Sequence, residues 1–324
     1  MNTDLTKFFD IQHPIILAPM AIAGGGRLAA AVSNAGGLGL IGGGYGDQNW
    51  LEREFNLAGG ARVGCGLITW KLRENPALLA WVLDQKPAAM FLSFGDPTGF
   101  AKVIKDSGVP MICQVQTLRD AAHAIDCGAD VIVAQGAEAG GHGERRATMT
   151  LVPEAADYIS KNAANTILCA AGGIADGRGL AAALMLGADG VLVGSRFWAS
   201  HEALVAPRMH AAAVCATGDQ TIRSDVMDAA RDLTWPDRYT ARVLKNQFTD
   251  KWHGQRDKLT REVGQQWQAA FAQGDPDGAN TFVGEATGLI NDIKPAAQIL
   301  DEMVTEAKQV MTRLAANIGV VSDV

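Results

Sequence analysis

Basic residues never cluster in this chain: 28 Lys and Arg are scattered among 35 Asp and Glu, leaving a net charge of −7. Nucleic acid and anionic membrane surfaces both need concentrated positive charge, so neither is an expected partner. Long apolar runs are missing as well, and nothing approaches the about 18 residues of a membrane span. The opening MNTDLTKFFDIQHP has no apolar stretch behind a basic cluster and does not read as a secretion signal. Cysteine is sparse and odd in number: Cys65, Cys113, Cys127, Cys169 and Cys215, with no CxxC pair. Most lie in apolar runs, which predicts buried free thiols in a reducing, cytoplasmic setting. No His/Cys/carboxylate cluster stands together in the sequence, so no metal is expected.

What the chain does have is apolar residues, 48% of 324, enough for a large core. Eight short apolar runs recur: Ile15–Ala18, Leu38–Ile41, Val63–Leu67, Met90–Phe94, Met111–Val115, Val131–Ala134, Thr166–Ala171 and Gly190–Val193. Nearly continuous apolar character over four to six residues is the mark of a strand buried on both faces. Amphipathic segments such as Gly26–Ala35, Gly99–Ser107, Thr117–Cys127 and Gly177–Leu186 lie between them. Eight alternating units predict an α/β fold, a parallel (β/α)₈ barrel of the TIM type; a doubly wound open sheet is the competing arrangement.

The character changes after Ser200. Residues 206–282 are polar, strand-poor and Trp-bearing, and predict a small helical subdomain over the barrel mouth, with Trp70, Trp235 or Trp252 as candidate pocket walls. Residues 1–205 and 283–324 would then form the barrel. A last amphipathic helix over Lys294–Leu314 carries apolar residues at Ile299, Leu300, Met303, Val304, Ala307, Val310, Met311 and Leu314, one face that returns to the barrel wall. Oligomeric state is not legible, since an apolar stripe serves a core or a homo-oligomer interface equally.

Two glycine segments carry a phosphate argument. Gly172 and Gly173 follow the seventh run, and Gly194 and Ser195 end the eighth. The loops after strands 7 and 8 of such barrels commonly bind phosphate, with main-chain N–H groups aimed at its oxygens. The literal GxGxxG at Gly37–Gly42 is set aside, because there the glycines surround the strand itself rather than following it into a helix.

The run Ala134–Gly143, AQGAEAGGHG, lies just past the sixth strand, where barrel residues face the active-site mouth. His142, flanked by Gly141 and Gly143, is the candidate general base, since a neutral imidazole accepts a proton near physiological pH. His13, His123, His201, His210 and His253 have no such setting.

Five segments in order along residues 13–200 resemble the nitronate monooxygenase family, once called 2-nitropropane dioxygenases: PIILAPM at 14–20, AAVSNAGGLG at 30–39, SFG at 93–95, the AQGAEAGGH run, and AAGGIADGRG at 170–179. The resemblance implies a non-covalently bound FMN and a histidine, here His142, that takes the proton alpha to the nitro group or orients the nitronate. It places Ala18, Pro19 and Met20 beside the isoalloxazine, with Gln135 near its ring and Gln114 toward its pyrimidine edge, and makes Gly141 a further cofactor contact. Gly172, Gly173, Gly194 and Ser195 would hold the phosphate. The implied reaction oxidises an alkyl nitronate with O₂ to a carbonyl compound and nitrite. The related FMN-dependent enoyl-acyl-carrier-protein and quinone reductases share the GGH run, and Thr148–Val152 follows it much as in the enoyl reductases; NAD(P)H as electron donor is therefore the alternative. One departure stands out: many relatives carry Asn where this chain has Gly66.

Overall fold

The computed structural model describes residues 1–319. Its strands in chain order are β1 (Ile15–Leu17), β2 (Leu40–Gly44), β3 (Gly64–Ile68), β4 (Met90–Ser93), β5 (Met111–Val115), β6 (Val131–Gln135), β7 (Gly141–Gly143), β8 (Ile167–Ala171), β9 (Gly190–Val193), β10 (Thr221–Ser224) and β11 (Thr240–Leu244). Eight of them form one parallel sheet in the order β1-β9-β8-β6-β5-β4-β3-β2. A parallel bridge between Ile16 and Leu38 brings the two ends together, so the sheet closes into the barrel the eight apolar runs predicted. Each predicted run overlaps one of these strands, with β2 shifted furthest, to Leu40–Gly44 from the expected Leu38–Ile41.

Period-two alternation divides every strand between two cores. Ile16, Ile112, Val131, Val133, Cys169 and Leu192 point into the barrel. Their neighbours Ile15, Leu17, Cys113, Ile132, Leu168 and Val191 point outward into the layer of helices. Both sets are buried, which is why the runs are continuous rather than alternating in hydropathy. Leu5 and Phe9, from the helix Asp4–Phe9, join the interior cluster and are wholly buried. The helix Ala296–Asn317 lays Ile299, Leu300, Met303, Val304 and Ala307 on the outer core, as its spacing predicted. The last five residues of the expected barrel segment, 320–324, lie outside the described residues.

Two expectations are amended. The segment 206–282 is mixed rather than wholly helical. Helices Pro207–Val214, Val226–Ala230, Gln247–Trp252 and Arg261–Ala272 are joined by the antiparallel pair β10–β11, and β11 pairs in turn with β7 in the loop after β6. This segment builds a core of its own from Met209, Val226, Met227, Val243 and Trp267, with Trp198. The thiols also differ from expectation: Cys65, Cys113 and Cys169 are buried, but Cys127 is half-buried and Cys215 is exposed. Both are C-cap residues at helix ends, and only Cys127 packs against the outer core. No helix among the described residues is long and apolar enough to cross a membrane.

Candidate active site

A cavity of about 480 Å³ opens at the carboxyl ends of the barrel strands. That is the size and the place of a small-molecule site in this architecture. Each of the eight barrel strands delivers residues to it, either from its last turn or from the loop that follows. All eleven residues singled out from the sequence line it: Ala18, Pro19, Met20, Gln114, Gln135, Gly141, His142, Gly172, Gly173, Gly194 and Ser195. Segment 206–282 supplies part of the wall, including Met209, Arg231, Trp235, Phe271 and Phe282. Of the three tryptophans considered, Trp235 faces the cavity. Trp70 stands edge-on behind it at 5.4 Å, and Trp252 packs against the second core.

His142 is held from three directions. Its backbone belongs to β7 opposite Ala241 of β11, and its carbonyl accepts the Gln135 side-chain N–H at 3.1 Å. Gln114 and Gln116 donate to the Gln135 Oε1 at 3.2 and 2.8 Å, so that amide is fixed at both ends. The imidazole lies on the indole of Trp235, and the ring of Phe94 meets it edge-on at 6.1 Å. Phe94 sits at φ +60°, a conformation costly for an aromatic residue, at the end of β4.

The third hold is a carboxylate that sequence reasoning missed. Asp228 Oδ2 lies 2.8 Å from His142 Nε2, and both side chains are buried. Arg231, one turn on, approaches Asp228 Oδ1 at 3.4 Å and also donates to the Tyr45 hydroxyl, which accepts the Trp235 indole N–H at 3.2 Å. Burial pushes the His142 imidazole below its ordinary value of 6.5, with the hydrogen bond and charge of Asp228 opposing the shift. The ring is therefore neutral at neutral pH.

The loop Gly136–Gly140 is clamped around its backbone. The Ala137 carbonyl accepts from Arg223 at 3.2 Å and from Arg242 at 3.0 Å, and Arg242 pairs with Glu285 at 2.8 Å. Glu138 turns its carboxylate onto the N–H and hydroxyl of Thr148, where a negative charge complements the amino end of the helix Thr148–Asn162. Glu138 still lines the cavity, and its side chain runs beside Gly173 of the glycine cradle.

That cradle fits a phosphate. Gly172 and Gly173 hold φ of +102° and +75°, and a Cβ on Gly172 would stand 2.9 Å from the Gly136 carbonyl. No acceptor among the described residues takes the backbone N–H of Gly172, Gly173 or Ser195. The Ser195 hydroxyl accepts the Gly284 N–H at 2.9 Å, which leaves its own proton to donate. Glycine does different work on the opposite side of the mouth. A Cβ on Gly66 would come within 2.3 Å of Pro19, and one on Gly42 within 2.2 Å of the Met20 carbonyl. The bare backbones of β2 and β3 are what allow Pro19 and Met20 to fold down against the barrel.

Outside the cavity lining, the ligand atoms of Asp96, His123 and Cys127 gather within 4.8 Å of one another, a cluster hidden in the sequence by its spacing. Asp96 Oδ1 bonds His123 Nε2 at 2.7 Å and caps the Thr98 N–H at 3.0 Å, so hydrogen bonding accounts for the group as it stands.

Comparison with known proteins agrees with this geometry. The profile of the nitronate monooxygenase family matches residues 2–58 and 74–306. A nitronate monooxygenase of Neurospora crassa is 33% identical, the match covering 97% of this chain and 94% of that protein. The nitronate monooxygenase npaC of Metarhizium robertsii is 34% identical over 94% of this chain and 93% of its own length. Among solved structures, FabK from Thermotoga maritima superposes with a TM-score of 0.86 at 31% identity, covering 98% of this chain and 99% of that one. This chain belongs to the nitronate monooxygenase family of FMN-dependent oxidoreductases.

Proposed function

We propose that this protein binds FMN in the barrel mouth and oxidises a small alkyl nitronate with O₂, giving a carbonyl compound and nitrite. The observation that carries the reading is the meeting of the glycine cradle and one buried, neutral histidine in a single cavity. Gly172, Gly173, Gly194 and Ser195 would hold the phosphate through main-chain N–H groups and the serine hydroxyl. Ala18, Pro19 and Met20 would lie along the ring system, and Gly141 would also contact the cofactor. Gln114 and Gln135 would present their amides to its polar edge. FMN supplies the electron acceptor for the nitronate and the route to O₂.

His142 handles the proton. A neutral imidazole in a buried wall accepts the α-proton of a nitroalkane, and once charged it steadies the nitronate. Trp235, Phe94, Phe282 and Met209 make that end of the cavity apolar, which favours a small, weakly polar substrate and excludes water. Segment 206–282 acts as the subdomain that shapes substrate choice, while the barrel holds the cofactor.

The experiment is an anaerobic mixing series. Flavin absorbance is followed while the purified protein meets a preformed nitronate and, separately, NADH and NADPH. Rapid bleaching by nitronate alone is expected. Bleaching by a nicotinamide, with none by nitronate, would overturn the reading in favour of an NAD(P)H-dependent reductase.

A further inference from the structure

Asp228 is a fully buried carboxylate whose side-chain partners both belong to the wall of the cavity. It sits in the short helix Val226–Ala230, 1% exposed, among Val226, Met227 and Ala230. Burying an ionised carboxylate is costly unless it is paired and hydrogen-bonded. Here the partners are His142 Nε2 on one oxygen and Arg231 on the other. The imidazole cannot turn away from this contact, because Trp235 covers its face and β7–β11 pairing with Gln135 holds its backbone.

The other ring nitrogen is in a different position. His142 Nδ1 has no hydrogen-bond partner among the described residues and is not among the buried atoms left without one, and the side chain lines the cavity. The atom therefore opens on the cavity. A carboxylate only accepts, so the proton of a neutral ring facing Asp228 belongs on Nε2.

We propose that Asp228 is the positioning residue of this site: it fixes the Nε2–H tautomer of His142 and so makes Nδ1 the atom that takes the substrate proton. The inference rests on the nitronate reading and deepens it. In the step it describes, the α-proton of a neutral nitroalkane passes to Nδ1. The C–H electron pair becomes the C=N bond, and one N=O pair moves onto oxygen. The nitronate is left facing an imidazolium whose Nε2–H is held by the Asp228 carboxylate. Arg231, which also donates to Tyr45, helps hold the Asp228 carboxylate aimed at the ring.

Two measurements on the FMN-loaded protein test this. With ¹⁵N-labelled histidine, the His142 ring, identified by its loss in His142→Asn, should show a protonated Nε2 and an unprotonated Nδ1. The reverse assignment would overturn the proposal without any Asp228 variant having to fold. Asp228→Asn should then move the ring proton to Nδ1, because an amide can donate to Nε2. In that variant kcat/KM on neutral nitroalkane should drop about 10²-fold or more, the scale of a misplaced base. The drop on preformed nitronate, which needs no deprotonation, should be far smaller at unchanged flavin content. Equal loss on both substrates would assign Asp228 a merely structural role, and no loss on either would remove its role; both outcomes overturn the proposal. A wild-type protein that turns over neither nitro compound would defeat the nitronate reading, whereas the labelled ring reports the tautomer independently of turnover.

Discussion

The imidazole of His142 lies flat on the indole of Trp235, with ring centroids 3.4 Å apart and planes 5° from parallel. The stack joins the loop after β6 to segment 206–282, so the indole both packs with Ile68, Phe94 and Tyr239 and sets the plane of the imidazole. Trp235 is 4% exposed and donates its N–H to Tyr45. Trp235→Ala should cost about 3–5 kcal/mol of stability, the range for truncating a buried tryptophan. It should also lower kcat on neutral nitroalkane more than on nitronate, since a loosened ring loses its aim. Chemical denaturation and the two kinetic series check this; an unchanged ratio of the two rates would mean that the stack is packing alone.

Removal of the base itself gives a sharper split. His142→Asn should retain FMN, because none of the cradle residues depends on the imidazole. Turnover of neutral nitroalkane should fall roughly 10²–10⁴-fold, with most activity on preformed nitronate kept. Flavin content by absorbance and steady-state rates on the two substrates decide it. Loss of flavin would move His142 from proton transfer to cofactor retention.

The lowered basicity of His142 fixes the sign of two pH effects. The charged groups acting on the ring are Asp228 and Arg231 beside it and Arg223 on β10; burial outweighs the attraction of Asp228. The neutral, proton-accepting form therefore persists below 6.5, the ordinary imidazole value. The acid limb of kcat/KM for a neutral nitroalkane should have its midpoint below that pH, and Asp228→Asn should displace it. For stability, the unfolded chain binds this proton first as pH falls, so the folded state is favoured in full above 6.5 and progressively less below it. Denaturation midpoints measured across this range should fall with pH less steeply in His142→Asn than in the wild type.

The barrel was legible because its strands are buried on both faces, so Ile15–Leu17 or Val131–Gln135 stands out as an apolar block against polar surroundings. The cradle and His142 were legible because glycine and histidine just past a strand end have few structural uses. Strands β10 and β11 were hidden by their own chemistry. Arg223 and Arg242 interrupt them with charge, and both arginines turn out to serve the Ala137 carbonyl from inside the fold. Asp228 was missed because 86 residues separate it from His142. A signal was nonetheless present, since a carboxylate within Val226-Met227-Asp228-Ala229-Ala230 has no reason to be there unless something buried needs it. The exposed Cys215 shows the converse limit: an apolar neighbourhood in sequence does not say which way a residue at a helix end will face.

The cradle makes its own prediction. Gly173 holds a left-handed backbone at φ +75°, and a side chain there would enter the phosphate approach beside Glu138. Gly173→Leu should yield folded protein largely free of flavin, whereas the wild type should release FMN, not FAD, on heating. Chromatography of the released flavin and a fluorescence titration with added FMN test both points. A fully loaded variant would place the phosphate elsewhere in the cavity.

The last prediction concerns Gly66 on β3, tested by introducing Asn. Substitution there is not a neutral exchange of a missing polar contact, because the space is already filled: a Cβ would stand 2.3 Å from Pro19 Cβ and 2.4 Å from its Cγ. Proline is rigid and Pro19 lies two residues past the end of β1, so the collision can be relieved only by lifting the segment Ala18–Met20. Gly42 restricts that movement from the neighbouring strand, since the Met20 carbonyl lies against its bare backbone. Gly66→Asn alone should therefore destabilise the fold by about 1–3 kcal/mol, the usual cost of overpacking. It should also weaken FMN binding, because Ala18, Pro19 and Met20 line the cavity. Pairing it with Pro19→Gly removes both colliding atoms, Cβ and Cγ, and should recover part of the stability, a coupling expected only of residues in contact. Strictly additive effects in the double-variant cycle, read by denaturation and by flavin affinity, would show that Pro19 does not rest on Gly66 in solution.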